Sequence, residues 1–179
     1  EDDGGTLWIG TYGGGLNRLN QGRLTAYTTR EGLFDDAVFR ILEDGSGNLW
    51  ISCNKGIYCI AKQQFDELDR GARSSLDCTV FGVADGMKNS ECNGADQPTG
   101  WKMRDGALWF PTIEGAVMVD PAHLPTNRLP PPVVIEELRV DDRAVGIAAP
   151  AEIAPGAQRV DIQYAALSFR VPGKVRFRY

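Results

Sequence analysis

The chain has 179 residues, 42% hydrophobic and 24% charged, a composition ordinary for a globular protein and a length that holds one or two domains. Its net charge of −5 argues against a nucleic-acid backbone as partner, since that needs a concentrated basic surface. There is no run of about 18 apolar residues to span a membrane and no visible secretory leader, but the sequence reads as a piece of a longer chain, so neither absence carries weight.

In chain order, residues 7–11 and 15–19 read as a hairpin across Tyr12-Gly13-Gly14, and 24–28 as a third strand after the turn at Asn20-Gln21-Gly22. A polar link over 30–36 leads into an apolar run, 37–43, dense enough for an inner strand covered on both faces. Residues 49–53 and 56–60 make the next hairpin. Between 61 and 75, Phe65, Leu68 and Ala72 share one side with Asp and Glu between them, the pattern of a short amphipathic helix. A strand resumes at 78–83. A second polar link, 84–100, precedes a strand at 101–103 and a hairpin of 108–112 with 116–119. Leu129-Pro130-Pro131-Pro132 is a stiff spacer and reads as a domain boundary. Beyond it, period-2 alternation returns at 133–140, 159–164 and 175–179, with turns at Asp141-Asp142-Arg143, Pro150, Pro155-Gly156 and Pro172-Gly173.

One unit recurs along this path. Asp44-Gly45-Ser46-Gly47-Asn48-Leu49-Trp50-Ile51-Ser52 has an earlier copy at Asp3-Gly4-Gly5-Thr6-Leu7-Trp8-Ile9-Gly10-Thr11 and a later one at Asp105-Gly106-Ala107-Leu108-Trp109-Phe110-Pro111-Thr112. Each is followed by a glycine and an apolar run, beginning at Gly15, Gly56 and Gly115. Trp8 and Trp50 lie about 42 residues apart and Trp50 and Trp109 about 59, the period of a β-propeller blade with one insertion. The expected fold is all-β: a partial β-propeller of about three blades over 1–128, its first blade lacking the innermost strand, then the start of an Ig-like β-sandwich over 129–179.

The unit resembles the two-component regulator propeller repeat, in which a hydrophobic strand, Asp-x-x-Gly-x-Leu-Trp-Ile-Gly-Thr and Gly-Gly-Leu recur around a ring. Ile41-Leu42-Glu43-Asp44 through Trp50-Ile51-Ser52 carries the match. The run from Glu91-Cys92-Asn93-Gly94 through Leu108-Trp109-Phe110 to Gly115 and Asp120-Pro121 resembles the family's final blade. Pro131-Pro132-Val133-Val134-Ile135, Leu167-Ser168-Phe169 and residues 175–179 resemble the three-tyrosine (Y_Y_Y) domain that follows it. Most of the ring is absent, and the domain's further Leu-x-Gly-x-x-x-x-Trp pattern would fall past Tyr179. The resemblance implies the extracytoplasmic, ligand-sensing part of a bacterial signal-transduction receptor, of two-component or diguanylate cyclase type. It would lie on the periplasmic or extracellular face of the inner membrane, anchored only through a downstream segment that leads to the output domain. It implies neither enzyme activity nor a cofactor. The alternatives are a propeller lyase or glycosidase acting on polysaccharide, or a protein-interaction scaffold.

The residues themselves offer little catalytic chemistry. Cys53, Cys59, Cys78 and Cys92 lack zinc-site spacing, the only histidine, His123, is remote from them, and three complete disulfide pairings are open. Asp44, Ser46 and Asn48 alternate like calcium ligands, but an EF-hand needs Glu where Lys55 stands, which favours a turn. The acid pairs Asp2-Asp3, Asp35-Asp36 and Asp141-Asp142 lie in turns, and sequence adjacency does not set two carboxyls across a pocket. Gly13-Gly14-Gly15 sits in a hairpin rather than before a helix, so it does not form a phosphate loop. Trp8, Trp50 and Trp109 share one blade position, which favours core packing. Trp101, outside the repeat and beside a long link, is the better candidate for ligand contact.

Strand direction alternates across a blade. The links between blades therefore share a face with the hairpins of the middle strands, and the Asp-Gly turns lie on the opposite face. That face collects Arg30, Asp35 and Asp36 from one link, Asn89, Glu91 and Asn93 from the other, and Tyr12, Lys55 and Glu114 from the hairpins. With Trp101 these are the candidate binding residues, and their mixed polarity suits a small polar ligand or oligosaccharide. Open blade edges also lead us to expect self-association.

Overall fold

In the computed structural model, residues 1–95, 97–124, 132–147, 153 and 155–166 are described. The chain divides into two compact units, Glu1–Pro125 and Thr126–Tyr179.

The first unit holds three antiparallel sheets. β1 (Leu7–Gly10), β2 (Leu16–Asn20) and β3 (Arg23–Tyr27) form the first, in sequential order. β4 (Arg40–Glu43), β5 (Asn48–Cys53), β6 (Gly56–Ala61) and β7 (Thr79–Phe81) form the second, and the helix α1 (Lys62–Asp69) is inserted between β6 and β7. β8 (Trp101–Lys102), β9 (Leu108–Thr112) and β10 (Gly115–Val119) form the third. The registers superpose. Trp8 stands opposite Arg18, Trp50 opposite Cys59, and Trp109 opposite Met118. These sheets are blades of one repeated plan, and the fold is an all-β partial propeller followed by a second β unit.

Alternation along each strand aims one side of a blade at the blade before it and the other at the blade after it. Leu49, Ile51, Tyr58 and Ile60 of the second blade pack with Leu16, Tyr27 and Val38 of the first, and Phe65 of α1 completes this seam. Leu42, Trp50 and Ile57, on the opposite side, pack with Leu108, Phe110 and Val119 of the third blade. Trp50 is 1% exposed and stacks on Phe81 at 5.2 Å. Trp8 packs on Phe65 at 4.8 Å. Trp109 departs from the core role expected of it. It is 40% exposed, because the side of β9 that carries it has no blade against it among the described residues.

Three expected placements change. The inner strand of the second blade begins at Arg40 rather than at residue 37, because Ala37 and Val38 pair instead with the first blade: Ala37 bridges Tyr12, and the Val38 amide donates to the Thr11 carbonyl. The helix stops at Asp69 and leaves Ala72 outside, in a turn where its amide donates to the Glu67 carbonyl. Trp101 is not outside the repeat. It stands opposite Trp109 as Leu42 stands opposite Trp50. All four cysteines carry thiols; Cys53, Cys78 and Cys92 are buried and Cys59 half-buried.

The second unit contains one described sheet, ordered β12 (Arg143–Val145), β11 (Val133–Val140), β13 (Val160–Ala166). Val140 pairs with Arg143 across Asp141 and Asp142, whose φ values of 47° and 64° suit the tight turn that hairpin twist favours. Residues 129–131, Pro150, 167–169, Pro172-Gly173 and 175–179, which carry the spacer, two of the turns and the last strand expected from sequence, lie outside the described residues.

Candidate functional site

Each blade has two ends with different chemistry. At one end a carboxylate organises the turn. Asp44 Oδ1 accepts from the Ser46 and Asn48 amides at 2.7 and 3.0 Å, and its Oδ2 accepts from Asn48 Nδ2 and from the Trp50 indole Nε1 at 2.8 and 2.9 Å. Burial pushes this carboxyl's pKa up, but the four donors outweigh burial and hold it below the usual carboxylate range. In the first blade this work falls to Asp2, not to Asp3 as the sequence alignment had it. Asp2 accepts from the Gly4 and Thr6 amides and from the Trp8 indole, at 3.0, 2.9 and 3.1 Å. In the third blade the same place belongs to Met103, whose amide donates to the Ala107 carbonyl as the Asp44 amide does to Asn48. Asp105 sits two residues later and accepts only from the Ala107 amide. These carboxylates are held by their own turns, and Asp2 also accepts from Lys62 of α1 at 3.2 Å, which makes this end structural.

The other end gathers the links and the middle hairpins, and the bonds there are between elements. The Asp36 carbonyl accepts from the Gly13 and Gly15 amides, tying the first link to the first hairpin. The Asp36 carboxylate accepts from the Thr29 amide and hydroxyl at 2.7 and 3.2 Å. Lys55, at the tip of the second hairpin, pairs with Asp35 of the same link at 2.8 Å. Asp35 is buried, which alone would raise its pKa, yet the Lys55 ammonium and the Ala37 amide bring it below the usual range, and Asp35 in turn raises that of Lys55. The second link behaves alike. The Cys92 amide donates to the Cys53 carbonyl, the Asn93 amide to Pro111, and the Ile113 amide to Glu91. Asn89 Nδ2 donates to Glu114 Oε1 at 3.3 Å.

The structure therefore brings Tyr12, Asp35, Asp36 and Lys55 together around the first link, and Asn89, Glu91, Asn93 and Glu114 around the second. Phe39 joins the two groups. Tyr12, 82% exposed, stacks on the Phe39 ring at 5.9 Å and 11°. On its other side, the Gly94 backbone lies so close that a Cβ there would stand 2.4 Å from the ring. Sequence reasoning assigned Phe39 to the inner strand and missed this. The available signal was the polar link ending in two large apolar residues rather than one. Lys88, 3.8 Å from Glu114, was also missed. Two candidates stand apart. The Arg30 guanidinium has no hydrogen bond or ion pair to the cluster among the described residues, and Trp101 lies across from Trp109 on the side of the third blade. Among the described residues no group of His, Cys, Asp and Glu has the arrangement of a metal site, and no helix is long and apolar enough to cross a membrane.

Residues 32–55 match the family model described as "Two component regulator propeller". No curated protein matches the chain. Among solved structures, it is similar to the extracellular domain of BT3049 from B. thetaiotaomicron, named as a hybrid two component system: 19% identity, TM-score 0.63, over 95% of this chain and 23% of that one. The extracellular domain of BT4673 from the same organism, named as a one component system, is 17% identical over 82% of this chain and 30% of that one, at a TM-score of 0.31 that carries no argument. The chain thus spans less than a third of the length of the structures it matches. In fold it is a partial β-propeller, with one stretch, 32–55, that matches the two component regulator propeller family.

Proposed function

We propose that this chain is part of the extracytoplasmic sensor region of a signal-transduction receptor, and that the link face takes a small polar ligand such as a short saccharide. One observation carries the reading. The family match over residues 32–55 spans the first link, the inner strand, the Asp44 turn and the hairpin ending at Lys55, so it contains Asp35, Asp36 and Lys55 together. The extracellular placement of BT3049 supports the location.

On this reading the blades run over 1–128, and 129–179 open a Y_Y_Y-type sandwich that passes the signal to a downstream output domain. The chain performs no reaction. The link face suits recognition by its mixture of groups: the exposed Tyr12 ring, the Lys55 ammonium, the Glu91 carboxylate, and the Asn93 amide, whose Oδ1 accepts from the Ala95 amide. A few convergent polar groups beside an aromatic surface are what orient a small ligand.

The test uses the intact receptor with a panel of neutral mono- and disaccharides and a reporter for its output. Lys55→Ala, Asp36→Ala and Asn93→Ala are expected to move the dose–response for the activating sugar by about tenfold or more each, the loss of about one polar contact to a ligand. Unchanged curves in all three, with normal thermal melts, would reject the link face as the site.

A further inference from the structure

The helix inserted in the second blade also walls a polar cleft. On the first blade, Arg18 stands opposite Thr25 and Asn20 opposite Arg23, so alternation aims all four to one side. That side is the one toward the second blade: Arg18 also stands opposite Trp8, whose ring packs on Phe65 of α1. The facing wall is the end of α1, with Asp66, Asp69 and the C-capping Arg70. Between the walls lies a cleft of about 420 Å³. Both walls belong to adjacent blades of this chain, so no other blade of a ring comes between them.

Within the cleft the charges do not balance. Arg18 Nη1 pairs with Asp66 at 2.7 Å and with Asp69 at 3.6 Å, and the Tyr27 hydroxyl donates to Asp69 at 3.0 Å, so both carboxylates are engaged. Arg18 lies over the Trp8 ring, 5.4 Å from its centre, and its buried Nε has no hydrogen-bond partner among the described residues. Arg23 and Arg70 are exposed and have no ion pair among the described residues. Arg70 uses its Nε on the Asp66 carbonyl at 3.1 Å, which leaves the rest of its guanidinium available. Three guanidinium groups thus meet two carboxylates, on a chain whose net charge is −5. The Asn20 and Gln21 amides and the Thr25 hydroxyl line the same cleft and make no side-chain hydrogen bond among the described residues.

We propose that this cleft is a second binding site, for a small hydroxylated oxyanion such as a hydroxycarboxylate or a sugar phosphate. The Arg23 and Arg70 guanidinium groups take the oxyanion, because their planar forks match the spacing of carboxylate and phosphate oxygens. Asn20, Gln21 and Thr25 take the hydroxyl groups. The volume is that of a small-molecule pocket, larger than a lone ion needs. Strand direction puts the β2–β3 turn and α1 at the end of the blades away from the links, and outside the Asp turns. The inference is therefore independent of what the link face binds.

The test is calorimetric titration of the intact protein at low ionic strength, where exposed charges are least screened, with citrate, glucose 6-phosphate and uncharged glucose. At least one of the two anions is expected to bind. Arg23→Gln and Arg70→Gln should each weaken that binding about tenfold, the loss of one charge-assisted contact. Arg104→Gln removes the same charge from an exposed site in the third blade and should leave the affinity unchanged. Tighter binding of citrate would mark the ligand as a carboxylate, and tighter binding of glucose 6-phosphate as a phosphate. Binding of neither anion overturns the proposal, as does binding that all three variants weaken alike or that none weakens. Glucose bound as tightly as glucose 6-phosphate, and lost in the same variants, also overturns it. Hydrogen exchange locates the site without substitution: the bound anion is expected to slow exchange in residues 18–25 and 66–70. Slowing confined to the link face contradicts the cleft.

Discussion

At the scale of the residue, one carboxylate closes a turn and orients the tryptophan that the next blade packs on. Asp2 and Asp44 do this in two blades, and Met103 shows the third blade without it. Trp50→Ala is expected to destabilise by about 3–5 kcal/mol, the usual cost of truncating a fully buried aromatic. Trp109→Ala should cost under about 1 kcal/mol, as at a partly exposed site. Urea unfolding of both variants separates the two, and equal losses would mean that Trp109 is packed. The Asp2 carboxyl is pushed up by burial but pulled down further by the Trp8 indole, the Thr6 amide and Lys62, to about 2 against an ordinary 3.8. A group depressed in the folded state stabilises above its unfolded pKa and loses that contribution as the pH falls through its folded one, here roughly 2 kcal/mol between about pH 4 and pH 2. Asp2→Asn should therefore lower stability at pH 6 and leave it little changed near pH 2, as read by denaturant titration at both. The same loss at both pH values would show that Asp2 acts by shape rather than by charge. Sequence placed the first motif one residue late because Asp2 and Asp3 are adjacent and either can open a turn. Counting back from Trp8 and Trp50 aligns Asp2 with Asp44, and shows Met103 in the same place.

At the scale of the element, the strands were legible because Leu-Trp-Ile runs between Asp/Gly turns leave little choice of local structure. The links were not, because their bonding is to other blades. Residues 37–39 have the composition of a strand, but the Val38 amide goes to Thr11 of the first blade and the Ala37 amide to the Asp35 carboxylate, and only the Phe39 amide pairs with the second blade, at Ser52. Phe39 lies between Tyr12 and the Gly94 backbone, a non-local placement that no periodicity reports. Gly94→Ala would drive a methyl to within 2.4 Å of the Phe39 ring, which must move. We expect a loss of about 1–3 kcal/mol, the range for overpacking. In the intact receptor we expect weakened saccharide response as well. A stability unchanged within about 0.5 kcal/mol would mean that the second link yields freely there.

At the scale of the whole molecule, the blades are joined through two apolar seams, and the polar links tie the same blades at one end only. This asymmetry separates a structural end, where carboxylates are consumed by their turns, from an end where side chains of differing chemistry converge. Strand direction alone made that division readable from sequence, since it follows from antiparallel order. The ligand's identity was not readable, because it depends on which side chains remain unpaired after folding. The central claim is that the link face, and not the Asp-turn face, meets the ligand. Hydrogen exchange of the intact protein with and without the saccharide proposed to activate it tests it most directly. The account predicts slowed exchange in residues 29–39 and 88–94 and at the tips of the middle hairpins, with the turns after Asp2 and Asp44 unchanged. Slowing confined to those Asp turns would contradict it.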